Sequence, residues 1–186
     1  GMKEGKTDTV PFGFFSKKAI QINGFFDEEL VRAQDYEYNK RIIKNGGKVW
    51  INPEITAKYF NQRFFFKFLA KLLLKDGPYN SYMWFKYPYT LSFRHLIPSI
   101  FFLGNIFGLI LSSYNVFFLY IYIFVMSLYI LLSILASIQI YKNTNHLTSS
   151  LLMPASFFLM HISYGAGEVY GALKILLKKA PISIQD

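Results

Sequence analysis

Two carboxylates, Asp35 and Glu37, stand in a short polar segment that glycines at 24 and 46–47 frame. The pattern around them predicts a helix whose first turn holds both residues, where the helix dipole stabilises negative charge. A carboxylate that is ionised at neutral pH can accept a proton from a hydroxyl group within hydrogen-bonding reach. From the residue alone, capping the helix is the ordinary use of Asp35. Glu37 fits an ion pair with Arg41, four residues on, better than it fits chemistry.

The elements that must position this pair are α/β in character. Ser16 followed by KKAIQIN predicts a capped helix of about three turns, which Asn23-Gly24 ends. The helix that carries the carboxylates is amphipathic. Its predicted inward-facing residues are Tyr38, Ile42 and Ile43, and the predicted solvated ones are Arg32, Lys40, Arg41 and Lys44. Residues 48–53 (KVWINP) and 55–60 (ITAKYF) have the alternation of strands, and Pro53 ends the first of them.

Residues 63–96 are basic and aromatic. Phe65, Phe68, Leu69 and Leu72 share one face of a predicted helix, and Lys67, Lys71 and Lys75 lie elsewhere on it. Such a composition is typical of a helix that lies in a membrane interface, with lysines that reach the lipid headgroups. A helix packed on the core of the preceding domain explains the pattern equally well.

Residues 97–141 contain no Asp, Glu, Lys, Arg or His. The runs 97–113 and 116–141 are long enough to cross a bilayer, so we predict a transmembrane helical hairpin. A third apolar run, 151–177, includes Pro154, three glycines and Glu168, whose charge is costly inside a bilayer. We predict a broken membrane or interfacial helix there. Basic residues before the hairpin place the preceding domain in the cytoplasm.

The composition narrows the class of protein. The 186 residues carry a net charge of +9 and are 53% hydrophobic, which favours an anionic membrane surface over nucleic acid as the partner. No cysteine is present, and the three histidines are far apart without carboxylate companions, so the residues predict no metal site. The chain divides at 1–62, 63–96, 97–141 and 142–186.

Three runs in order, VPFGFF, NGFFDEEL and AQDYEYNKRIIKNGGKVWINPEI, resemble the acceptor-side half of glycosyltransferase family 2. The nearest likeness is to the membrane-bound, succinoglycan-type branch that builds bacterial exopolysaccharides. The resemblance covers roughly residues 7–96, and HISYGAGEVYGALK in the tail extends it. It implies an inverting, nucleotide-sugar-dependent enzyme with the GT-A fold. The fold class expected is thus an α/β acceptor-side half of a GT-A fold, followed by an α-helical membrane region.

The resemblance also implies roles for individual residues. Asp35 takes the place of the general base, and Gln34 stands where the family has Glu but can still bind an acceptor sugar. Asp27 and Glu28 either contact the acceptor or only form a turn. The residues with a predicted diphosphate or headgroup contact are Lys75 and Arg63. Leu72 replaces the glutamine of processive relatives, which argues against processive synthesis.

Neither the nucleotide-binding βαβ half nor the D-x-D metal motif of this family is found in the sequence. We therefore expect a fragment that is inactive alone, with Mg²⁺ or Mn²⁺ required by the complete enzyme and no ligands for it here. The expected location is the bacterial inner membrane, with the catalytic part on the cytoplasmic side. The expected partners are membrane lipids, a nucleotide-sugar and a saccharide or lipid-linked acceptor. Two alternatives stay open, a non-enzymatic membrane-anchored interaction module and a lipid-binding accessory protein.

Overall fold

The computed structural model describes residues 3–60 and 62–177, which fall into two compact units. The first unit holds the residues before Arg94 together with those from Gly167 onward, and the second is Arg94–Ala166. Helices dominate the described residues, and a small two-stranded sheet accompanies them. Every candidate site residue named above belongs to the first unit.

The sheet pairs β1 (Gly5–Thr7) with β2 (Val49–Ile51) in antiparallel register. The strand predicted at 48–53 is thus present at its centre, and its partner comes from a segment that carried no prediction. The strand predicted at 55–60 is wrong, because these described residues are exposed and have no strand geometry. A turn in which the Ile55 amide donates to the Asn52 carbonyl at 3.1 Å precedes them.

Helix α1 (Lys17–Asn23) begins where the sequence predicts. The Ser16 hydroxyl oxygen accepts a hydrogen bond from the Ala19 amide at 3.1 Å and so caps the helix. The helix has seven residues, two turns rather than three. It ends at Gly24, whose φ of 72° is a backbone conformation that glycine adopts without steric cost.

Helix α2 (Gln34–Lys44) carries the candidate base and contributes to two clusters of core residues. Tyr38 and Ile42, four positions apart, are buried with Val49 of the sheet in a small core. Ile43 lies next to that face and is 38% exposed, so its predicted inward position is wrong. A helix turns by about 100° per residue, so Ile43 lies beside the stripe that Tyr38 and Ile42 define and not on it.

The basic, aromatic segment forms four short helical pieces in series: α3 (Phe65–Lys71), a π-helical turn (Leu72–Asp76), α4 (Gly77–Lys86) and a 3₁₀ turn (Pro88–Thr90). α4 packs on the domain core, as the second explanation of this segment predicts. Its residues Tyr79, Tyr82 and Met83 are buried in one cluster with Leu30 and Tyr36. α3 differs, since Phe66 on it is 80% exposed and the helix has no fully buried residue.

The second unit contains helices α5 (Phe93–Tyr114) and α6 (Val116–Thr144), which Asn115 joins. These two are the helices among the described residues that are long and apolar enough to cross a membrane, and the predicted spans lie within them. The Tyr122 hydroxyl donates to Asn105 Oδ1 at 3.1 Å, a polar link between the two helices. Inside a membrane the hydrophobic effect does not drive helices together, and hydrogen bonds of this kind contribute to their association.

Helix α7 (Leu147–Leu176) runs without interruption through Pro154 and Gly165, where the sequence predicts a break. Pro154 is the eighth residue of the helix, where a proline cannot donate the usual backbone hydrogen bond of the helix. The residues of α7 up to Ala166 belong to the second unit, and those from Gly167 belong to the first.

The last turns of α7 lie against the π-helical turn and α4. A Cβ atom on Gly167 would stand 2.6 Å from the carbonyl oxygen of Leu73, so this approach of two backbones requires glycine. Glu168, next to it, is 1% exposed. Asn80 donates to its carboxylate at 3.4 Å, and the Ser81 hydroxyl donates to its main-chain carbonyl at 2.7 Å. The charge that is costly in a bilayer is therefore enclosed by polar groups of α4.

Candidate functional site

The segment between α1 and α2, residues 24–33, carries three carboxylates in succession, and we call it the acidic loop. Asp27 begins a tight turn in which its Oδ1 atom accepts from the Glu29 amide at 3.0 Å. Leu30, two percent exposed, anchors the loop in the core. The turn-forming role that the sequence allows for Asp27 is thus present, and it leaves the other carboxylate oxygen for a second partner.

Side chains of α2 fix the start of the acidic loop. The Tyr38 hydroxyl donates to the Gly24 carbonyl at 2.7 Å. Arg41 Nη1 donates to the carbonyls of Asn23 and Phe25 at 2.8 and 2.9 Å. The Arg41 side chain is 19% exposed, so its predicted solvation is wrong. Its guanidinium is occupied by the carbonyls that α1 and the loop would otherwise leave unpaired.

The end of α4 fixes the middle of the acidic loop through charge. Lys86 Nζ donates to Asp27 Oδ2 at 2.7 Å and to Glu29 Oε2 at 2.5 Å. Hydroxyl groups add to this, from Tyr87 to Asp27 at 2.8 Å and from Tyr82 to Glu29 at 3.0 Å. Partial burial would raise the pKa of Asp27, but the hydrogen bonds from Lys86 and Tyr87 outweigh it and hold that pKa below its ordinary value. Asp27 is an ionised partner of Lys86.

Glu37 is fully buried in α2 and has two partners. Arg41 donates to it through Nε at 2.8 Å and through Nη2, which confirms the predicted pair. The Tyr89 hydroxyl donates to Glu37 Oε1 at 2.5 Å. The hydrogen bonds to Glu37 raise the pKa of Arg41 above its ordinary value, so Arg41 stays charged. A carboxylate that is enclosed and paired in this way is closed to a substrate.

Asp35 is the second residue of α2 and is partly exposed. Its Oδ1 atom accepts from the adjacent Tyr36 amide at 2.8 Å, and within the described part of the chain it forms no ion pair. Ala33, which precedes the helix, has φ 59° and ψ 15°, a left-handed conformation that is strained for a residue with a Cβ atom. Asp35 thus lies at the start of α2 and is partly open to the surface.

The other predicted site residues are exposed or half-buried. Gln34 and Glu28 are exposed, the first beside Asp35 at the start of α2 and the second on the acidic loop. Arg63 is exposed before α3, and Lys75 is half-buried in the π-helical turn. No ion pair or hydrogen bond of a described residue joins either cation to Asp35. The roles of these four residues stay predictions.

Sequence reasoning missed Lys86, Tyr87 and Tyr89, which hold the carboxylates of the loop and of α2. They lie in WFKYPYT, a stretch whose composition predicts membrane contact. The sequence signal that could have indicated this role is a lysine between aromatic residues at the end of a helix. Its partners Asp27 and Glu29 are 59 and 57 positions away, a distance over which sequence pattern carries no pairing information.

The described residues do not form a cluster of metal ligands. Within residues 3–60 and 62–177, no group of three or more His, Cys, Asp or Glu side chains could hold an ion. Asp27 and Glu29 lie close together, but the ammonium group of Lys86 occupies the place between them that a cation would need. We derive no chemical step through a metal in this chain.

Comparison with known proteins gives one informative match. The chain is similar to a dolichyl N-acetyl-alpha-D-glucosaminyl phosphate 3-beta-D-2,3-diacetamido-2,3-dideoxy-beta-D-glucuronosyltransferase of Methanococcus voltae, with 30% identity over 89 residues. The match covers 42% of this chain and 28% of the relative. No model of a known protein family matches the chain, and no solved structure does. The similarity thus points to a glycosyltransferase, and to no finer class.

Proposed function

We propose that this chain is the acceptor-side part of a membrane-bound, inverting glycosyltransferase of the family 2 type. It transfers a sugar from a nucleotide-sugar to a saccharide carried on a polyisoprenyl phosphate, with Asp35 as the general base. Surface polysaccharide synthesis is the process in which such a transfer is used. Because the chain spans 28% of the length of the relative that it matches, the proposal assigns to it a part of the catalytic apparatus and not the whole.

One observation carries the proposal. Among the carboxylates around the acidic loop, Asp35 combines partial exposure, a fixed helical position and freedom from any ion pair in the described structure. Asp27 and Glu29 are bound to Lys86, and Glu37 is buried with Arg41. A general base must be able to approach the hydroxyl group that it deprotonates, and the partial exposure of Asp35 leaves room for that approach. The similarity to a glycosyltransferase supplies the reaction class.

The proposed reaction is a single displacement. The acceptor hydroxyl oxygen forms a bond to the anomeric carbon while the bond from that carbon to the diphosphate oxygen breaks on the opposite face. Asp35 takes the hydroxyl proton, and the nucleoside diphosphate leaves with the bonding electron pair. Asp35 lies in the first turn of α2, the end of a helix at which the dipole attracts negative charge. Gln34, exposed beside it, is placed to hydrogen-bond the acceptor sugar.

A complete enzyme of this type is expected to use Mg²⁺ or Mn²⁺ to bind the diphosphate. The ligands would have to come from outside the described residues, since these contain no suitable cluster. Lys75 and Arg63 are the cations that we propose for contact with the diphosphate or with lipid headgroups.

Replacing Asp35 by Asn in the complete enzyme tests the proposal. The Asn side-chain oxygen can accept the same hydrogen bond from the Tyr36 amide, so the fold should be kept while the base is lost. We expect transfer from a radiolabelled nucleotide-sugar to polyprenyl-phosphate saccharide to fall by about 10²- to 10⁴-fold, the usual contribution of a general base. Glu54→Gln, which neutralises an exposed carboxylate in the 52–55 turn, is the matched control and should leave the rate unchanged.

Transfer that survives Asp35→Asn would refute the assignment of the base and would favour the interaction module. The chain of 186 residues, purified by itself, should transfer no sugar from any nucleotide-sugar. Turnover by this chain alone would show that the donor-binding part is not missing.

A further inference from the structure

One carboxylate of the first unit, Asp76 at the end of the π-helical turn, contacts two cations. Arg32 Nη1 lies 3.3 Å from its Oδ1 atom, and Lys71 Nζ lies 3.5 Å from its Oδ2 atom. The three side chains are between 23% and 35% exposed, so the group is partly shielded from water and can still be reached by a ligand.

The charge of this cluster is positive. Arg32 and Lys71 carry two positive charges against the one negative charge of Asp76. Lys75 directly precedes Asp76, is half-buried, and forms no ion pair with any residue that the structure describes. A half-buried charge is costly without a counter-charge. The excess of two positive charges therefore matches an anion with two negative charges.

The distances show that Asp76 does not bind its cations tightly. Charge-assisted hydrogen bonds between a cationic nitrogen and a carboxylate oxygen are about 2.7–2.9 Å long. Lys86, in the same unit, has contacts of 2.7 and 2.5 Å with the two carboxylates beside it. Both contacts of Asp76 are longer. Because guanidinium has five N–H donors and ammonium has three, Arg32 and Lys71 keep donors for a further anion.

The local backbone brings the two cations together. Lys71 and Asp76 are five positions apart, a spacing that separates side chains by about 140° in a regular α-helix. The π-helical turn, whose hydrogen bonds join residues five positions apart, allows their contact instead. Such turns are frequent at functional sites. The other cation, Arg32, directly precedes Ala33 with its left-handed backbone.

The cluster lies near the proposed base. Arg32 and Asp35 are three positions apart, so their Cα atoms are at most about 11 Å apart. In the proposed displacement, the acceptor hydroxyl group and the leaving diphosphate lie on opposite faces of one carbon atom. Cations that bind the diphosphate must therefore be close to the base without pairing with it. Within the described residues no ion pair joins Arg32 to Asp35.

We propose that Arg32 and Lys71 bind a phosphate group of a substrate, Arg32 as a bidentate donor and Lys71 as a point charge. The choice of ligand rests on the proposed function, in which the donor carries a diphosphate and the acceptor carries a lipid phosphate. Both sources offer the same chemistry, a phosphate group with several acceptor oxygens. Asp76 holds the two cations near each other and competes with the phosphate for them.

Binding of inorganic pyrophosphate tests the proposal. The full chain is reconstituted in phosphatidylcholine nanodiscs and titrated by calorimetry. Arg32→Gln and Lys71→Gln should each weaken the binding by about 10- to 100-fold, because each removes a charged hydrogen-bond donor. Lys18→Gln makes the same charge change at an exposed position of α1 and should bind as the unaltered chain does. No binding by the unaltered chain, or an equal loss in Lys18→Gln, would overturn the proposal.

Asp76→Asn distinguishes a binding site from a purely structural ion pair. It removes the carboxylate that competes for both cations, so pyrophosphate should bind more tightly, by up to about fivefold, which is the strength of a partly exposed ion pair. If the cluster only stabilises the fold, Asp76→Asn should weaken the binding as Arg32→Gln does, and the proposal fails. Should Arg32→Gln not fold, Arg32→Lys keeps the charge and should still weaken the binding, since lysine cannot donate in bidentate geometry.

Kinetics of the complete enzyme distinguish the two sources of phosphate. A higher KM for the nucleotide-sugar in Lys71→Gln assigns the site to the donor diphosphate, and a higher KM for the lipid-linked acceptor assigns it to the acceptor phosphate. A lower kcat with both KM values unchanged would contradict the proposal. Asp35→Asn should bind pyrophosphate as the unaltered chain does, so a failure of the proposed base and a failure of the proposed phosphate site give different results.

Discussion

Asp35 and Glu37 are two positions apart in one helical turn, yet they have opposite environments. Glu37 is enclosed and bound by Arg41 and Tyr89, whereas Asp35 is partly exposed and accepts only the hydrogen bond of its neighbour's amide in the described structure. Successive positions of a helix point about 100° apart, so one turn presents one carboxylate to the core and another to the surface. The first then has a structural role, and the second is open to chemistry.

Replacing Glu37 by Gln should destabilise the first unit by about 3 kcal/mol, because Arg41 would keep its charge in a partly buried place without its carboxylate partner. Urea unfolding in detergent, followed by tryptophan fluorescence, measures this. The only two tryptophans of the chain, Trp50 and Trp84, both belong to the first unit and report on it.

Glu28→Gln is the control for this measurement. Glu28 is an exposed carboxylate of the acidic loop, and its replacement should change the free energy of unfolding by less than about 0.5 kcal/mol. An equal, small effect of both substitutions would mean that the buried pair contributes nothing to stability.

For individual residues, the sequence predicts contacts between positions that are near each other in the chain. The Glu37–Arg41 pair and the Ser16 cap follow from spacings of four and three positions, and both are confirmed. Lys86 could not be assigned to the acidic loop, because nothing local in either segment encodes a pairing over more than fifty residues.

Among the described helices, α7 has glycines at its closest backbone contacts, where a side chain would not fit. Its glycines allow the helix backbone to lie against the π-helical turn and α4, and Gly171 is as close to Pro78 as Gly167 is to Leu73. Because helix ends that touch through backbone atoms have no side chains to rearrange, a single methyl group is enough to separate them.

Gly167→Ala should therefore destabilise the first unit by about 1–3 kcal/mol, the usual cost of overpacking. Gly104→Ala in α5 is the matched control, since a Cβ atom there would meet nothing within 4 Å. Alanine also favours helices more than glycine does, so the control should be neutral or slightly stabilising. The midpoint of thermal unfolding, measured by circular dichroism in detergent, separates the two. A destabilisation of the same size in both variants would show that helix propensity, and not close packing, sets the effect.

The two long apolar helices could be predicted because length and composition alone define them. β2 is predicted by its own pattern, but β1 could not be predicted, since it pairs with β2 more than forty residues later. The alternation at 55–60 has no strand beside it among the described residues. Strand pairing is non-local, and a pattern of period two describes a strand only when another strand lies beside it. A GT-A half-sheet stays an expectation from the resemblance.

For the whole molecule, the crossing of α5 and α6 can be tested with single cysteines, since the natural chain has none. Ser113→Cys lies at the end of α5 beside the connection, and Asn143→Cys lies in the last turn of α6. A membrane-impermeant maleimide should label them from opposite sides of sealed vesicles, with Asn143→Cys accessible in inside-out vesicles. Labelling of both from the same side would exclude a hairpin that crosses. The unaltered chain, which should take up no label, is the control.

The left-handed backbone of Ala33 affects how this protein can change by mutation. Non-glycine residues in that conformation cost about 1–2 kcal/mol, which glycine would remove. The Ala33 methyl group, however, packs on the core cluster of Leu30 and Tyr36, and glycine would also free the backbone just before Asp35. Ala33→Gly would thus relieve the backbone strain, lose a contact with the core and loosen the start of α2. If Asp35 is the base, as proposed, selection for stability and selection for turnover act against each other at this residue.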